Sequence, residues 1–426
     1  MEILNTVTKI IILFLSICVS YQTFYMIVGI LLKAKKYPET EVKKKYGVAI
    51  AARNEEKVIA NLIKSLKNQT YPQEYITIFV VADNCTDKTA EIARENGAVV
   101  YERFDDTKRR KGWALEFLFE QIEKDYGIES FDAYCFFDAD NVVSSTFIYE
   151  ANKAFVSGSE ALITYRNAKN FDTNFISAAY GMHSHKSCAI AHRPRNLLHT
   201  TDYVTGPGFC ASSKILKNGW HYHLLTEDSQ FSMENAIRGG KVDYCEAAQT
   251  YDESPTDFIT SWRQRIRWTR GRLLCYFKYR WKLLKGIFTL PWKKKWACFD
   301  MLFYIFPYAL VVWVIGLIYP ITSAIITIIN KQPVPWQTWL SSVGIAILTT
   351  YVYSLITGVL VLIREHKYIK CSVKKQILYL FTWPWFELIN IPLLVCSVFF
   401  DAKWTPIIHK DERQIGDLEK NGTQND

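Results

Sequence analysis

The sequence predicts an α/β domain with a mainly parallel sheet, flanked at both ends by helices of membrane-spanning length. Three observations predict it. The residues are 49% hydrophobic with 13 Trp, and the apolar ones concentrate at the two ends. The middle alternates strand-length apolar runs with helical patterns. Positive charge gathers beside the apolar segments rather than along the chain.

Ile10 to Leu32 carries no charged residue and is long enough to cross a bilayer, which takes roughly 20 residues. It exceeds a typical signal-peptide core and lacks a small-residue cleavage site, so it reads as a retained anchor. Lys33, Lys35, Lys36, Lys43, Lys44 and Lys45 follow it and place that end on the cytosolic side. Residues 1–36 form the anchor unit.

Residues 37–270 form the α/β unit, with its regular pattern between Tyr46 and Trp268. Val48–Ala51, Ile76–Val81, Ala98–Tyr101 and Tyr134–Phe137 are the strand-length runs. Ile59, Leu62, Ile63 and Leu66 fall on one helical face, with Asn54 expected as N-cap. A second helix is expected from Asp87 to Glu95, ending before Gly97. Such a sheet holds its ligand at the carboxyl ends of the strands.

A basic run extends from Arg263 to Lys295, with no Asp or Glu between Asp257 and Asp300. Trp262, Trp268, Trp281, Trp292 and Trp296 interleave with it. Basic residues alternating with Trp beside apolar spans suit lipid headgroups, not nucleic acid. Residues 271–300 are expected to lie in the interface as amphipathic helix. Two spans, Phe303–Ile329 and Leu340–Ile363, follow within a region covering 301–400. Gln376–Phe400, interrupted by Pro384 and Pro392, is either a kinked span or a re-entrant hairpin. The polar tail, 401–426, is expected to be partly disordered. Ten Cys without a C-x-x-C pair, and two H-x-H pairs without further metal spacing, argue for reduced thiols and no structural zinc.

Four groups have the chemistry of a nucleotide-sugar site. Asp138 and Asp140 close an apolar strand, where two carboxylates can hold a hard divalent cation beside a diphosphate. Thr226-Glu227-Asp228 opens a helical run, a fitting place for a base that takes a proton from a hydroxyl, although acids there also suit a helix N-terminus. Gln264, Arg267 and Trp268 share one helical face. Arg267 can fork onto phosphate and Trp268 can stack on a sugar. Arg53, Glu55, Asp83 and Lys111 stand at strand ends and turns, and Lys111-Gly112 opens a helix.

In that order, Ala51-Ala52-Arg53-Asn54-Glu55, Asp83, Lys111-Gly112, Asp138-x-Asp140, Thr226-Glu227-Asp228 and Gln264-x-x-Arg267-Trp268 resemble the processive family 2 membrane glycosyltransferases. Cellulose, hyaluronan, poly-N-acetylglucosamine and mixed-linkage glucan synthases belong there. The resemblance implies a GT-A fold, an inverting single displacement, and Mg2+ or Mn2+ as cofactor. It implies that Ala51, Arg53, Glu55, Asp83, Lys111 and Asp138 line the nucleotide pocket with Gln264, Arg267 and Trp268. It makes Asp140 the metal ligand and Asp228 the base. Phe209, Cys210, Glu227 and Trp268 would meet the acceptor, although Ala211 replaces a Gly of the family's loop and Ala82-Asp83 replaces paired Asp.

The reading that follows is a multi-pass plasma-membrane enzyme with a cytosolic catalytic domain. It polymerises a UDP-sugar into an exported β-linked glycan, with UDP-glucose and a β-glucan preferred. Its partners are the UDP-sugar, the growing glycan and the bilayer. The alternative is single transfer from a UDP-sugar to a lipid. A transporter would need polar residues inside the spans, where Glu387 is the main acidic one, and would leave the α/β domain unexplained.

Overall fold

The computed structural model describes residues 2–399, 409 and 411–420. In chain order the helices are α1 (Glu2–Leu31), α2 (Ile59–Lys67), α3 (Thr89–Glu95), α4 (Lys111–Asp125), α5 (Phe147–Val156), α6 (Phe175–Ser187), α7 (Arg193–Leu197) and α8 (Ser213–Leu216). They continue as α9 (Glu227–Ile237), α10 (Phe258–Thr289), α11 (Trp292–Tyr304), α12 (Tyr308–Ile329), α13 (Trp336–Glu365), α14 (Val373–Leu388), α15 (Asn390–Phe399) and α16 (Ile415–Lys420). The strands are β1 (Tyr46–Ala52), β2 (Ile76–Asp83), β3 (Val99–Arg103), β4 (Ala133–Asp138), β5 (Val142–Val143), β6 (Ala161–Ala168), β7 (Phe209–Ser212) and β8 (Val242–Asp252).

The eight strands form one sheet in the order β3-β2-β1-β4-β7-β6-β8-β5. The β3-β2-β1-β4 half is parallel, as expected from its alternation with helices. Beyond it β7 runs antiparallel to both β4 and β6, so the sheet as a whole is mixed. Period-two alternation divides the strand residues between two cores. Val48, Ile50, Val80 and Phe137 face a cluster with Ile59, Leu62 and Leu66 of α2 and Ala151 of α5. Ala49, Phe79, Val81 and Phe136 face Leu115, Leu118, Phe119 and Ile122 of α4. Both faces are covered, which is why these strands read as continuous apolar runs.

Pairing aligns Ala51 with Asp138 and Ala52 with Ala82, so β1, β2 and β4 end at one edge. Asn54 does not cap α2. It sits at φ 56 and its Oδ1 accepts from the Thr86 N–H at 2.8 Å, joining the turns after β1 and β2. An Asn tolerates that left-handed backbone because its amide bonds locally.

Among the described residues, three helical stretches are long and apolar enough to cross a membrane: Asn5–Leu31, Trp336–Tyr368 and Val373–Phe399. The last comprises α14 and α15, separated only by Ile389. The apolar stretch from Phe303 is divided by Pro307, with α11 ending at Tyr304 and α12 beginning at Tyr308. The basic run and the Gln264–Trp268 motif share one continuous helix, α10, so the expected boundary at 270/271 falls inside it. Asp257 starts that helix by accepting from the Thr260 N–H at 2.9 Å.

Candidate active site

One cavity of about 320 Å³ collects side chains from the shared strand edge and from helices α4, α9 and α10. Ala51 and Arg53 come from the end of β1 and the turn beyond it, and Glu55 stands two residues further. Asp83 closes β2; its Oδ1 accepts from Arg103 Nη1 at 2.5 Å and from the Asn84 amide at 3.2 Å. Burial pushes the Asp83 carboxyl above the usual range, and Arg103 opposes that shift. Arg103, the partner that keeps this carboxylate, was not singled out in the sequence.

Lys111 opens α4. A side chain at Gly112 would come within 2.1 Å of the Tyr222 carbonyl, so only glycine lets this turn sit against the loop before α9. Lys111 Nζ lies 2.5 Å from Asp138 Oδ1 and 3.6 Å from Glu227 Oε1. Burial alone would discharge the lysine, but Asp138 and Glu227 outweigh it and hold the ammonium. The same ammonium keeps the Asp138 carboxyl below its ordinary value against the effect of burial.

The Asp140 carboxylate is 5% exposed and its Oδ2 accepts from the Glu253 N–H at 3.1 Å. His409, from the tail, reaches the same place. Its Nδ1 lies 3.0 Å from Glu55 and its Nε2 4.0 Å from Asp140 Oδ2. Burial disfavours the imidazolium, yet Asp140 and Glu55 raise its pKa to about 10. A positive ring thus rests against the carboxylates where a cation belongs. Asp140 and Asp138 are donors suited to Mg2+ or Mn2+, and His409 joins them only once it has lost its proton. No cage of three His, Cys, Asp or Glu groups stands ready among the described residues. A cation here would need diphosphate oxygens to complete its shell. Part of the tail expected to be disordered is therefore seated. Asn61 donates to the Glu412 carbonyl at 2.9 Å, Lys169 to that of Asp411 at 2.8 Å, and Leu418 is buried beside Val142 and Tyr251.

Asp228 is held at both oxygens, by the Gly206 N–H at 2.6 Å and the Ser229 N–H at 2.7 Å. The turn carrying it packs against α10 at Gly271, where a side chain would meet Thr226 at 2.4 Å. Gln264, Arg267 and Trp268 line the cavity from that helix, and the Trp268 ring meets Tyr180 edge-on at 5.7 Å. Burial lowers the Arg267 pKa, with Glu227 and Asp138 opposing. At its far side the cavity reaches Tyr304 and Ile305, the end of α11 just before α12.

Phe209 and Cys210 do not reach the cavity. Both are core residues of β7: the Phe209 ring stacks on Phe136 at 4.4 Å, and Cys210 pairs with Cys135 across the strands. Val204, Thr205, Gly206 and Pro207 of the preceding loop line the cavity instead. The Ala that stands at 211 in place of the family's Gly was the sign that this loop departs from the motif.

The family described as glycosyltransferase like family 2 matches residues 44–271, more than half of the chain. The chain belongs to that family. It has the GT-A fold with a mixed sheet. It is 26% identical over 279 residues to the probable glycosyltransferase YdaM of Bacillus subtilis (strain 168), covering 62% of this chain and 63% of that one. It is 26% identical over 270 residues to the beta-monoglucosyldiacylglycerol synthase of Nostoc sp. (strain PCC 7120), covering 62% and 56%. The matches thus span less than two thirds of these curated relatives. The mannosyltransferase PcManGT from Pyrobaculum calidifontis, solved with GDP-Man and Mn2+, shares the fold with a TM-score of 0.52 and 14% identity, over 90% of this chain and 96% of that one.

Glu227 offers a pH test. Burial, reinforced by Asp228 and Asp138 and opposed by Lys111, pushes its carboxyl up to about 7. In the acceptor contact that the motif implies, a charged Glu227 would accept a hydrogen bond from a hydroxyl, and a neutral one would do so poorly. The charged fraction drops from about half at pH 7 to about a tenth at pH 6. Transfer should therefore fall on acidification with a midpoint near pH 7, and Glu227→Gln should flatten that limb. An unaltered limb in the variant would assign it to another group.

Proposed function

We propose that this chain is an inverting enzyme that moves one glucosyl residue from UDP-glucose to a hydroxyl of a membrane lipid. One observation carries the reading: the cavity that holds Asp228 and Trp268 extends to Tyr304 and Ile305, where the chain enters its apolar helices. An acceptor anchored in lipid reaches the base from that side. A relative named for a monoglucosylated diacylglycerol supports single transfer over the polymer that the motifs first suggested.

The acceptor oxygen attacks the anomeric carbon as its O–H proton passes to Asp228. The C1–O bond to the diphosphate breaks, and UDP leaves with that electron pair. Lys111 and Arg267 stand beside Asp138 to meet the departing phosphates. A divalent cation held by Asp140, its arrival displacing the proton of His409, would supply further neutralisation of the leaving group. Trp268 supports the sugar face, and Ala51, Arg53, Glu55 and Asp83 complete the donor pocket. The basic residues after α1 and along α10 support a cytosolic catalytic domain on a multi-pass protein.

The test uses detergent-purified protein with UDP-glucose, Mg2+ or Mn2+, and dioleoylglycerol. Mass spectrometry should show one added hexose per lipid, and EDTA should stop its formation. A glucan of many residues, made without lipid, would return the reading to a polymer synthase.

A further inference from the structure

Three helices meet beside the cavity, and their contact leaves polar atoms without partners. Tyr180 of α6 touches Trp268 of α10 at 5.7 Å and Phe386 of α14 at 5.3 Å. Its hydroxyl bonds to Ser261 Oγ at 3.2 Å. His183 stands one turn after Tyr180, Gln264 one turn before Trp268, and Glu387 directly after Phe386. His183 and Gln264 line the cavity. Gln264 Oε1, His183 Nδ1 and Glu387 Oε1 are enclosed and unbonded. His183 Nδ1 and Glu387 Oε1 face each other, which leaves Gln264 Oε1 as the costly enclosed atom that points to a ligand.

The chemistry at this corner selects the ligand. Glu387 Oε2 lies 3.5 Å from Lys186 Nζ, while Oε1 faces His183 Nδ1 at 3.7 Å, just outside hydrogen-bond range. That arrangement puts a proton on Nδ1 and leaves the Nε2 lone pair for a ligand. Burial lowers the His183 pKa, which keeps the ring neutral at pH 7. Yet 42% of its side-chain surface is accessible, because the ring borders the cavity. Nε2 of His183 and Oε1 of Gln264 are then two acceptors that call for hydroxyl donors. One hydroxyl of the lipid must go to Asp228, so these two require others.

We propose that His183 and Gln264, with Glu387 orienting His183, form a subsite for additional hydroxyl groups of the acceptor headgroup. Such a subsite favours, over a lipid with a single hydroxyl, one with a polyol head, a glycerol or sugar bearing free hydroxyls beyond the one that reacts. α14 belongs to an apolar stretch of membrane-spanning length, so the subsite lies where a headgroup meets its tails. This inference rests on the lipid-acceptor reading.

The experiment compares 1-monooleoylglycerol, with two free hydroxyls, and oleyl alcohol, with one, in detergent micelles with UDP-glucose. The wild-type enzyme should show a KM about tenfold lower for monooleoylglycerol, the worth of roughly one hydrogen bond. His183→Ala should shrink that preference to about twofold, and Glu387→Gln should weaken it in the same direction. The KM for UDP-glucose should move far less than that for monooleoylglycerol, which a general packing defect would not allow. If His183→Ala fails to fold, His183→Asn and Glu387→Gln carry the comparison. No preference in the wild type, or a preference unchanged in the variants, would overturn the subsite while leaving lipid transfer intact. Transfer to neither lipid, nor to dioleoylglycerol, would overturn the lipid reading and the subsite with it.

Discussion

Asp228→Asn is expected to lower the transfer rate by about 10²–10⁴-fold, the range for loss of a general base. The carboxylate is fixed by two backbone donors, one at each oxygen. That geometry points it without needing substrate, so the enzyme does not have to order it during reaction. Asn keeps the shape and loses the basicity. It also sets its NH2 against one of the two backbone N–H groups, whichever way the amide turns. That mismatch costs stability of about 1–3 kcal/mol, so thermal unfolding should be measured alongside single-turnover transfer. A variant that transfers glucose within a few-fold of wild type would remove Asp228 as base.

The parallel half of the sheet was legible because its strands are buried on both faces and its helices carry one apolar stripe each. Ile59, Leu62, Ile63 and Leu66 all face the core. The antiparallel β7 was not, because Phe209–Ser212 is short and preceded by a Gly-Pro-Gly loop without helical or strand period. The candidate site was legible where its residues lie in motif order at strand ends or on helices: Asp83, Asp138, Asp140, Asp228 and Trp268 line one cavity. His409 was not legible. It is a lone histidine in a polar tail, separated from Asp140 by the whole membrane-associated region, and no spacing pairs it with a carboxylate. Arg103 hid for a related reason. Its partner Asp83 lies on the neighbouring strand, and cross-strand ion pairs leave no periodic mark. Phe209 shows the opposite error: motif position suggested a contact that strand alternation turns into the core.

Asp300→Ala is expected to destabilise the protein by about 3–5 kcal/mol, the cost of stranding a buried charge. Arg195 is 2% exposed and donates to both Asp300 oxygens at 2.7 Å. The Tyr21 hydroxyl of α1 donates to the same carboxylate at 2.7 Å. The guanidinium also lies over the rings of Tyr25 and Tyr203, 4.9 and 5.0 Å from their centroids. One ion pair thus joins α7 of the catalytic unit, α11 and the first membrane-length helix. Two residues earlier Arg193 repeats the device, binding Glu246 of β8, Glu365 of α13 and the Gly29 carbonyl of α1. Removing Asp300 leaves Arg195 buried among aromatic rings without its bonded counter-charge. The check is the unfolding midpoint of detergent-solubilised protein by tryptophan fluorescence, for Asp300→Ala and for the pair Arg195→Met with Asp300→Leu. The single variant should melt several degrees lower. The apolar pair should recover much of that loss, because replacing both charges removes the desolvation cost. Equal midpoints for wild type and Asp300→Ala would show that aromatic packing alone, and not the charge pair, fastens α1 to the catalytic unit.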